Sequence, residues 1–311
     1  MRRALLSKSK CKLKLSAIQL TSAADVASNL ATIADTLEKI TSATYEEAGN
    51  DIQHLVVLPE CCLYFGGKES DQLTLAKSTT STAEHDDKTQ HLKVKQRSSS
   101  LSLALGALAK KYAVYLVAGT IPILSESEEK FTNSSCIFNP NGELIGQYDK
   151  IHLFDVTVSD NTKSYCESRF TQAGDAIKVI KTPLANIGLS VCFDLRFPSL
   201  FQQLTQFGAD IITIPSAFTK VTGKAHWQTL LQARAIENQV YIIAAGQEGV
   251  HENGRETWGH SMIINPWGEI EQIIETGVGY ITVDYQPQET TRIRNSMPLK
   301  TPFITTLTEA Q

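Results

Sequence analysis

Unbroken apolar runs alternating with stretches of helical periodicity constrain this chain more than any other feature of its sequence. Leu55-Val56-Val57-Leu58 is apolar at every position and is closed by Pro59, as expected of a strand covered on both faces. Asp210–Pro215 and Val240–Ala245 read as further, mostly apolar strands. Between such runs, Ala24–Ile40 places Val26, Leu30, Ile33, Leu37 and Ile40 on one helical face. Leu101–Tyr112, Pro198–Phe207 and His226–Asn238 read as further helices, and a short one falls near Gln288–Asn295. Lys12–Leu20, Val114–Gly119, Asn186–Cys192 and Gly279–Asp284 read as strands. Two hairpins are expected, Thr132–Phe138 with Glu143–Tyr148 around Asn139-Pro140-Asn141-Gly142, and Gly259–Asn265 with Glu269–Glu275 around Pro266-Trp267-Gly268. Many strands with interspersed helices indicate an α/β layered sandwich. No internal repeat and no glycine-rich phosphate loop interrupts the pattern, which leaves a Rossmann or P-loop reading unsupported. Ser78–Ser100, rich in Ser, Thr and charge, reads as an exposed loop inside one domain.

Composition narrows the function classes. The chain has 311 residues, 42% hydrophobic and 20% charged, with a formal net charge of -4. That is an ordinary globular balance, with no electrostatic reason to expect nucleic acid or an acidic membrane surface as partner. No apolar run approaches the roughly 20 residues of a membrane-spanning helix. The six cysteines form no CxxC pair and no ligand-like spacing with histidine, so neither a metal site nor a disulfide scaffold is expected, and a reduced compartment such as the cytoplasm fits. Residues 1–11 form a basic tail with Arg2, Arg3, Lys8 and Lys10; a mitochondrial transit peptide is its competing reading. Residues 12–300 are expected to form a single domain and 301–311 a C-terminal tail.

Three segments deliver a chemically capable residue at the carboxyl end of a strand: Glu60 after the 55–58 run, Lys150 after Glu143–Tyr148 and Asp149, and Cys192 at the end of Leu189-Ser190-Val191. In α/β sheets ligands gather at such ends. A thiol needs a base or a nearby cation to become a useful nucleophile. Glu60, shielded from water, would have a raised pKa and could take the proton. Lys150 would stabilise an oxyanion, with the backbone N–H of Phe193 as second donor. Each residue alone has a plainer explanation. Cys192 could be a small buried hydrophobe, Glu60 an acid at a helix N-terminus and Lys150 a surface cation.

Taken together, Val57-Leu58-Pro59-Glu60, Tyr148-Asp149-Lys150-Ile151-His152-Leu153-Phe154-Asp155 and Gly188-Leu189-Ser190-Val191-Cys192-Phe193-Asp194-Leu195-Arg196-Phe197-Pro198 resemble the three signature blocks of the nitrilase superfamily of carbon–nitrogen hydrolases. Pro215–Thr219, Gly223–Trp227 and Gly259–Met262 resemble its supporting blocks. The resemblance runs from about Leu13 to the Pro298 region. It implies an α-β-β-α sandwich pairing into an α-β-β-α-α-β-β-α homodimer or higher homo-oligomer, and a Glu60–Lys150–Cys192 triad with Glu167 as a supporting carboxylate. It implies no cofactor, no metal and no histidine base, so His152, His226 and His260 are expected in hydrogen-bonding roles. Trp258 and Trp267 are expected as core aromatics. Within the superfamily, the segments around His152–Val156, Ser216–Trp227 and Arg234–Gln239 are most similar to deaminated-glutathione amidases, metabolite-repair enzymes that release α-ketoglutarate and cysteinylglycine through a thioester. Omega-amidases acting on α-ketoglutaramate are the alternative, and a non-catalytic binding protein on the same fold is the alternative of another class. A substrate carboxylate would call for a cation, for which Arg196 has suitable bidentate geometry; Thr219 and Phe218 would line the same end.

Overall fold

The computed structural model describes residues 12–48, 52–87, 92–160 and 164–299; the two expected tails at 1–11 and 301–311 lie outside them. Two sheets form the middle layers. In the first, the strands run Gly279–Asp284, Lys12–Gln19, Ile52–Val57, Tyr115–Val117, Phe131–Phe138 and Ile121–Leu124, with Leu144–Asp149 also paired to Phe131–Phe138. In the second, the order is Val179–Lys181, Asn186–Leu189, Ile211–Ser216, Tyr241–Gly246, Ser261–Ile264 and Ile270–Ile274. Each sheet has a parallel centre and antiparallel flanks. Six helices are described: α1 (Val26–Ala48), α2 (Glu69–Thr79), α3 (Ser100–Tyr112), α4 (Pro198–Gln206), α5 (Lys220–Asn238) and α6 (Pro287–Ser296).

The period-2 geometry of strands explains the unbroken apolar runs. Leu55 and Val57 face the second sheet, in one core with Leu13, Leu15, Ile212, Ile243 and the α4–α5 residues Leu204 and Leu231. Val56 and Leu58 point the other way, into a second core with Ile33 and Leu37 of α1 and Leu105 of α3. Helices thus cover both outer faces and the fold is the expected α-β-β-α sandwich. Among the described residues, no helix is long and apolar enough to cross a membrane.

Several local expectations change. The segment read as a loop from Ser78 instead completes α2 and then forms an antiparallel hairpin, Thr80–Asp87 paired with Leu92–Ser99. Apart from Ala83, Leu92 and Val94 its sequence is polar, so the apolar alternation by which strands are recognised is too short to show. The strand expected to reach Cys192 ends at Leu189, and α5 begins at Lys220, ahead of His226. Thr219 explains that earlier start, because its hydroxyl accepts from the Thr222 N–H as an N-cap. Trp267 occupies a turn and is 52% exposed, so it is not a core aromatic.

Candidate active site

Glu60 follows the strand Ile52–Val57 by a short extension that the neighbouring strand continues to hold, with the Leu58 N–H donating to the Val117 carbonyl at 2.9 Å. Gly119 lies against this extension at φ +52°, and a Cβ there would stand 1.9 Å from the Pro59 oxygen. Only glycine allows that approach. From the second sheet, Gln247 donates to the Glu60 carbonyl at 3.0 Å and to Ser22 Oγ at 2.8 Å. The backbone that carries Glu60 is therefore fixed from both layers.

Lys150 immediately follows Leu144–Asp149, and its Nζ donates to Glu60 Oε1 at 2.9 Å and to Glu167 Oε2 at 2.8 Å. The Lys150 side chain is 2% exposed. Asn133 Nδ2 bridges the same two carboxylates, at 3.0 Å to Glu60 and 3.2 Å to Glu167. Glu60 Oε2 accepts from the Ala217 N–H at 2.9 Å, and Glu167 Oε2 from the Phe154 N–H at 2.7 Å.

Cys192 opens a short 3-10 turn, Cys192–Arg196, at φ +47°. A non-glycine residue in this left-handed region stores about 1–3 kcal/mol of strain, and the surroundings must hold it there. Asp194, completely buried, does much of the holding. Its Oδ2 accepts from the Val191 N–H at 2.8 Å and the Tyr148 hydroxyl at 2.7 Å, while Oδ1 lies 2.7 Å from His152 Nδ1 and accepts from the His152 N–H at 3.1 Å. His152 is stacked in turn on Phe197, 3.6 Å between centroids. The turns carrying Lys150 and Cys192 thus share one carboxylate.

The electrostatics reverse one expectation. Burial alone would push the Glu60 carboxyl up, but Lys150 and the hydrogen bonds from Lys150, Cys192 and Ala217 outweigh it and hold the group below its ordinary value. Burial also works against the Lys150 ammonium, yet Glu167 and Glu60 hold its pKa well above that of an ordinary lysine. For Cys192, burial first and Glu60 second push the thiol well above its usual range. The arrangement at rest is a neutral thiol near an ionised Glu60, with the ammonium clamped between two carboxylates.

These groups line one cavity, the concave kind of site that a small ligand occupies. Phe154, Phe193 and Phe218 are among its walls, and Thr219 and Arg255 also line it. The structure brings together Glu60, Lys150, Glu167, Cys192, Phe193, Phe218 and Thr219. It does not bring Arg196 to the cavity wall. That guanidinium lies 5.8 Å from the centroid of Phe193 and 5.3 Å from that of Phe218, with Nη1 3.2 Å from His226 Nδ1. His260 likewise serves structure, stacked on Trp258 at 4.0 Å. Among the described residues, no group of three His, Cys, Asp or Glu side chains is placed to hold a metal ion.

Asn133, Asp194 and Arg255 are the residues that sequence reasoning missed. Asn133 had a signal, since Asn133-Ser134-Ser135 puts three polar residues inside a strand where all three are buried. Arg255 had none, because Glu252-Asn253-Gly254-Arg255 reads as a solvated turn.

The same turn is tied to the site through His251. Its Nδ1 lies 3.2 Å from the Ser22 carbonyl and Nε2 2.7 Å from Thr257 Oγ1, and its ring meets Phe65 edge-on at 4.5 Å. Burial pushes the imidazole down to about 4 from 6.5. The unfolded chain takes up the proton near 6.5 and the folded chain only near 4, so this group removes stability progressively as pH falls between those values. The urea midpoint of the parent is expected to drop more steeply over that interval than that of His251→Gln. Equal slopes would show that His251 is not buried as a neutral ring.

Comparison with known proteins adds family membership. The carbon–nitrogen hydrolase family model matches residues 14–295. A deaminated glutathione amidase from Yersinia enterocolitica is 38% identical over 283 residues, covering 91% of this chain and 90% of that protein. The human omega-amidase NIT2 is 35% identical over 195 residues, 63% of this chain and 70% of that one. The crystal structure of Saccharomyces cerevisiae Nit3, of the nitrilase superfamily, superposes with a TM-score of 0.76 at 30% identity, covering 93% of this chain and 96% of the other.

Proposed function

The chain belongs to the carbon–nitrogen hydrolase family, and on that premise we propose that it is a thiol amidase that cleaves the amide of deaminated glutathione. The observation that carries the chemistry is Lys150 held between Glu60 and Glu167 in the cavity that Cys192 also lines. Because the thiol's pKa is raised and the carboxyl's lowered, no stable thiolate forms at rest. The proton passes from Sγ to Glu60 as sulfur bonds to the amide carbon, when the negative charge moves on to the carbonyl oxygen. Lys150 and the Phe193 N–H stabilise that oxyanion. Glu60 then protonates the departing amine, leaving a thioester on Cys192. Water, deprotonated by Glu60, attacks the thioester and releases α-ketoglutarate; the amine product is cysteinylglycine.

The substrate is the narrower part of the proposal. It is supported by 38% identity to the Yersinia enterocolitica amidase across 91% of the chain. The second reading, an omega-amidase acting on α-ketoglutaramate, is supported by the match to human NIT2 over 63% of the chain. Both substrates would leave the same acyl group on Cys192, so they differ only in the departing amine. Turnover of the two amides under identical conditions separates them, with intact-mass detection of the acyl group. Deaminated glutathione is expected to be favoured in kcat/KM. A preference of about a hundredfold for the smaller amide, about 2.7 kcal/mol in transition-state binding, would reverse the assignment. Absence of any acyl adduct with either would remove the amidase reading and leave the binding-protein alternative.

A further inference from the structure

Among the described residues two cations line the cavity, and they are in opposite situations. Lys150 is paired with Glu60 and Glu167. Arg255 has its guanidinium carbon 4.8 Å from the centroid of Phe65 and 5.0 Å from that of Tyr165, and its buried Nε has no hydrogen-bond partner among the described residues. Aromatic faces attract a guanidinium but do not satisfy its in-plane N–H groups. They fix the position of the plane and leave its edge to another acceptor.

The position is built, not incidental. Arg255 closes a tight turn in which the His251 N–H donates to the Arg255 carbonyl at 2.9 Å and the Arg255 N–H to Asn253 Oδ1 at 3.1 Å. Phe65 is held from one side by His251, as described above, and from behind by its own N–H to the Ala23 carbonyl at 3.1 Å. Tyr165 is anchored by its hydroxyl, which donates to Asp160 at 2.8 Å. The clamp is therefore set before any ligand arrives, and little rotamer freedom is left to lose on binding.

We propose that Arg255 is the specificity-determining residue of this cavity, binding the carboxylate at the far end of the substrate's acyl chain while Cys192 attacks the amide at the near end. A planar fork with an unmet N–H recognises a carboxylate by paired hydrogen bonds, which neither a neutral amide nor an ammonium can reproduce. Arg196, the cation expected from the sequence, instead packs against the rings of Phe193 and Phe218 and does not line the cavity. The inference rests on the amidase reading for its substrate and on the clamp geometry for the residue.

The test uses two amides of equal chain length, glutaramate and the neutral pentanamide, with the parent, Arg255→Gln, Arg255→Lys and Arg196→Gln. The ratio of kcat/KM for glutaramate over pentanamide is expected to fall about a hundredfold in Arg255→Gln, mostly through KM, and less in Arg255→Lys, which keeps the charge and loses the fork. In Arg196→Gln that ratio should stay within about threefold of the parent. An unchanged ratio in Arg255→Gln overturns the proposal, as does a collapse confined to Arg196→Gln. Should the parent turn over neither amide, the amidase reading is what fails, and equilibrium binding of glutarate decides the inference. Binding lost in both Arg255 variants supports it, and equal binding in parent and Arg255→Gln overturns it. Arg255→Lys keeps the test open if the glutamine variant does not fold.

Discussion

Cys192→Ala is expected to lose amide turnover by about 10⁵- to 10⁶-fold in kcat and to form no acyl adduct on the intact protein. The size follows from the arrangement of the site. Glu60, Lys150 and Glu167 stay paired with one another when the thiol is removed, so the variant keeps its oxyanion donors and its base but has nothing to form the thioester. Unfolding should move little, because Cys192 contributes one small side chain and its left-handed backbone is held by Asp194. Cys61 is the control that this prediction needs. It also lines the cavity, directly after Glu60, but burial and the Glu60 charge push its thiol up to about 12, and Gln72 Nε2 donates to its sulfur at 3.3 Å. Cys61→Ala should keep the adduct. Turnover surviving in Cys192→Ala but lost in Cys61→Ala would transfer the nucleophile to the neighbouring strand end.

That contrast between two cysteines shows how far the sequence could be read. Glu60, Lys150 and Cys192 were legible because each follows a segment that reads as a strand, and because three ordered blocks support one another. The layered fold was legible for the same reason, since strands covered on both faces leave a continuous apolar trace. What failed to show was polar in both senses. The hairpin Thr80–Asp87 with Leu92–Ser99 has apolar alternation only at Leu92 and Val94, too little to announce it. Arg255 lies on a turn whose composition is that of any solvated loop, and only its fold-distant neighbours Phe65 and Tyr165 make it part of a cavity. The raised pKa expected for Glu60 failed differently. Burial was anticipated correctly, but the sign of the shift depends on how close Lys150 comes, a distance that no spacing in the sequence encodes.

Lys150→Met is the second large effect, and it should appear in stability as well as rate. The substitution leaves Glu60 and Glu167 facing each other across Asn133 Nδ2 with no cation between them. Removing one partner from a buried ion pair costs about 3–5 kcal/mol. The lower end is expected here, because the Glu167 side chain keeps 18% of its exposure and can draw on solvent. One carboxylate should recover a proton, and when that is Glu60 the base is lost together with the oxyanion donor. A fall of at least about 10³-fold in kcat follows from those two contributions. The double variant Lys150→Met with Glu167→Gln separates charge balance from chemistry. It removes the repulsion, leaves Glu60 with Asn133 and the Ala217 N–H, and should regain most of the stability while staying inactive. Urea denaturation and single-turnover rates on the same three proteins read the two effects independently. Activity returning along with stability would mean that Lys150 only neutralises the carboxylates, and the oxyanion would then have to be held by the Phe193 N–H alone.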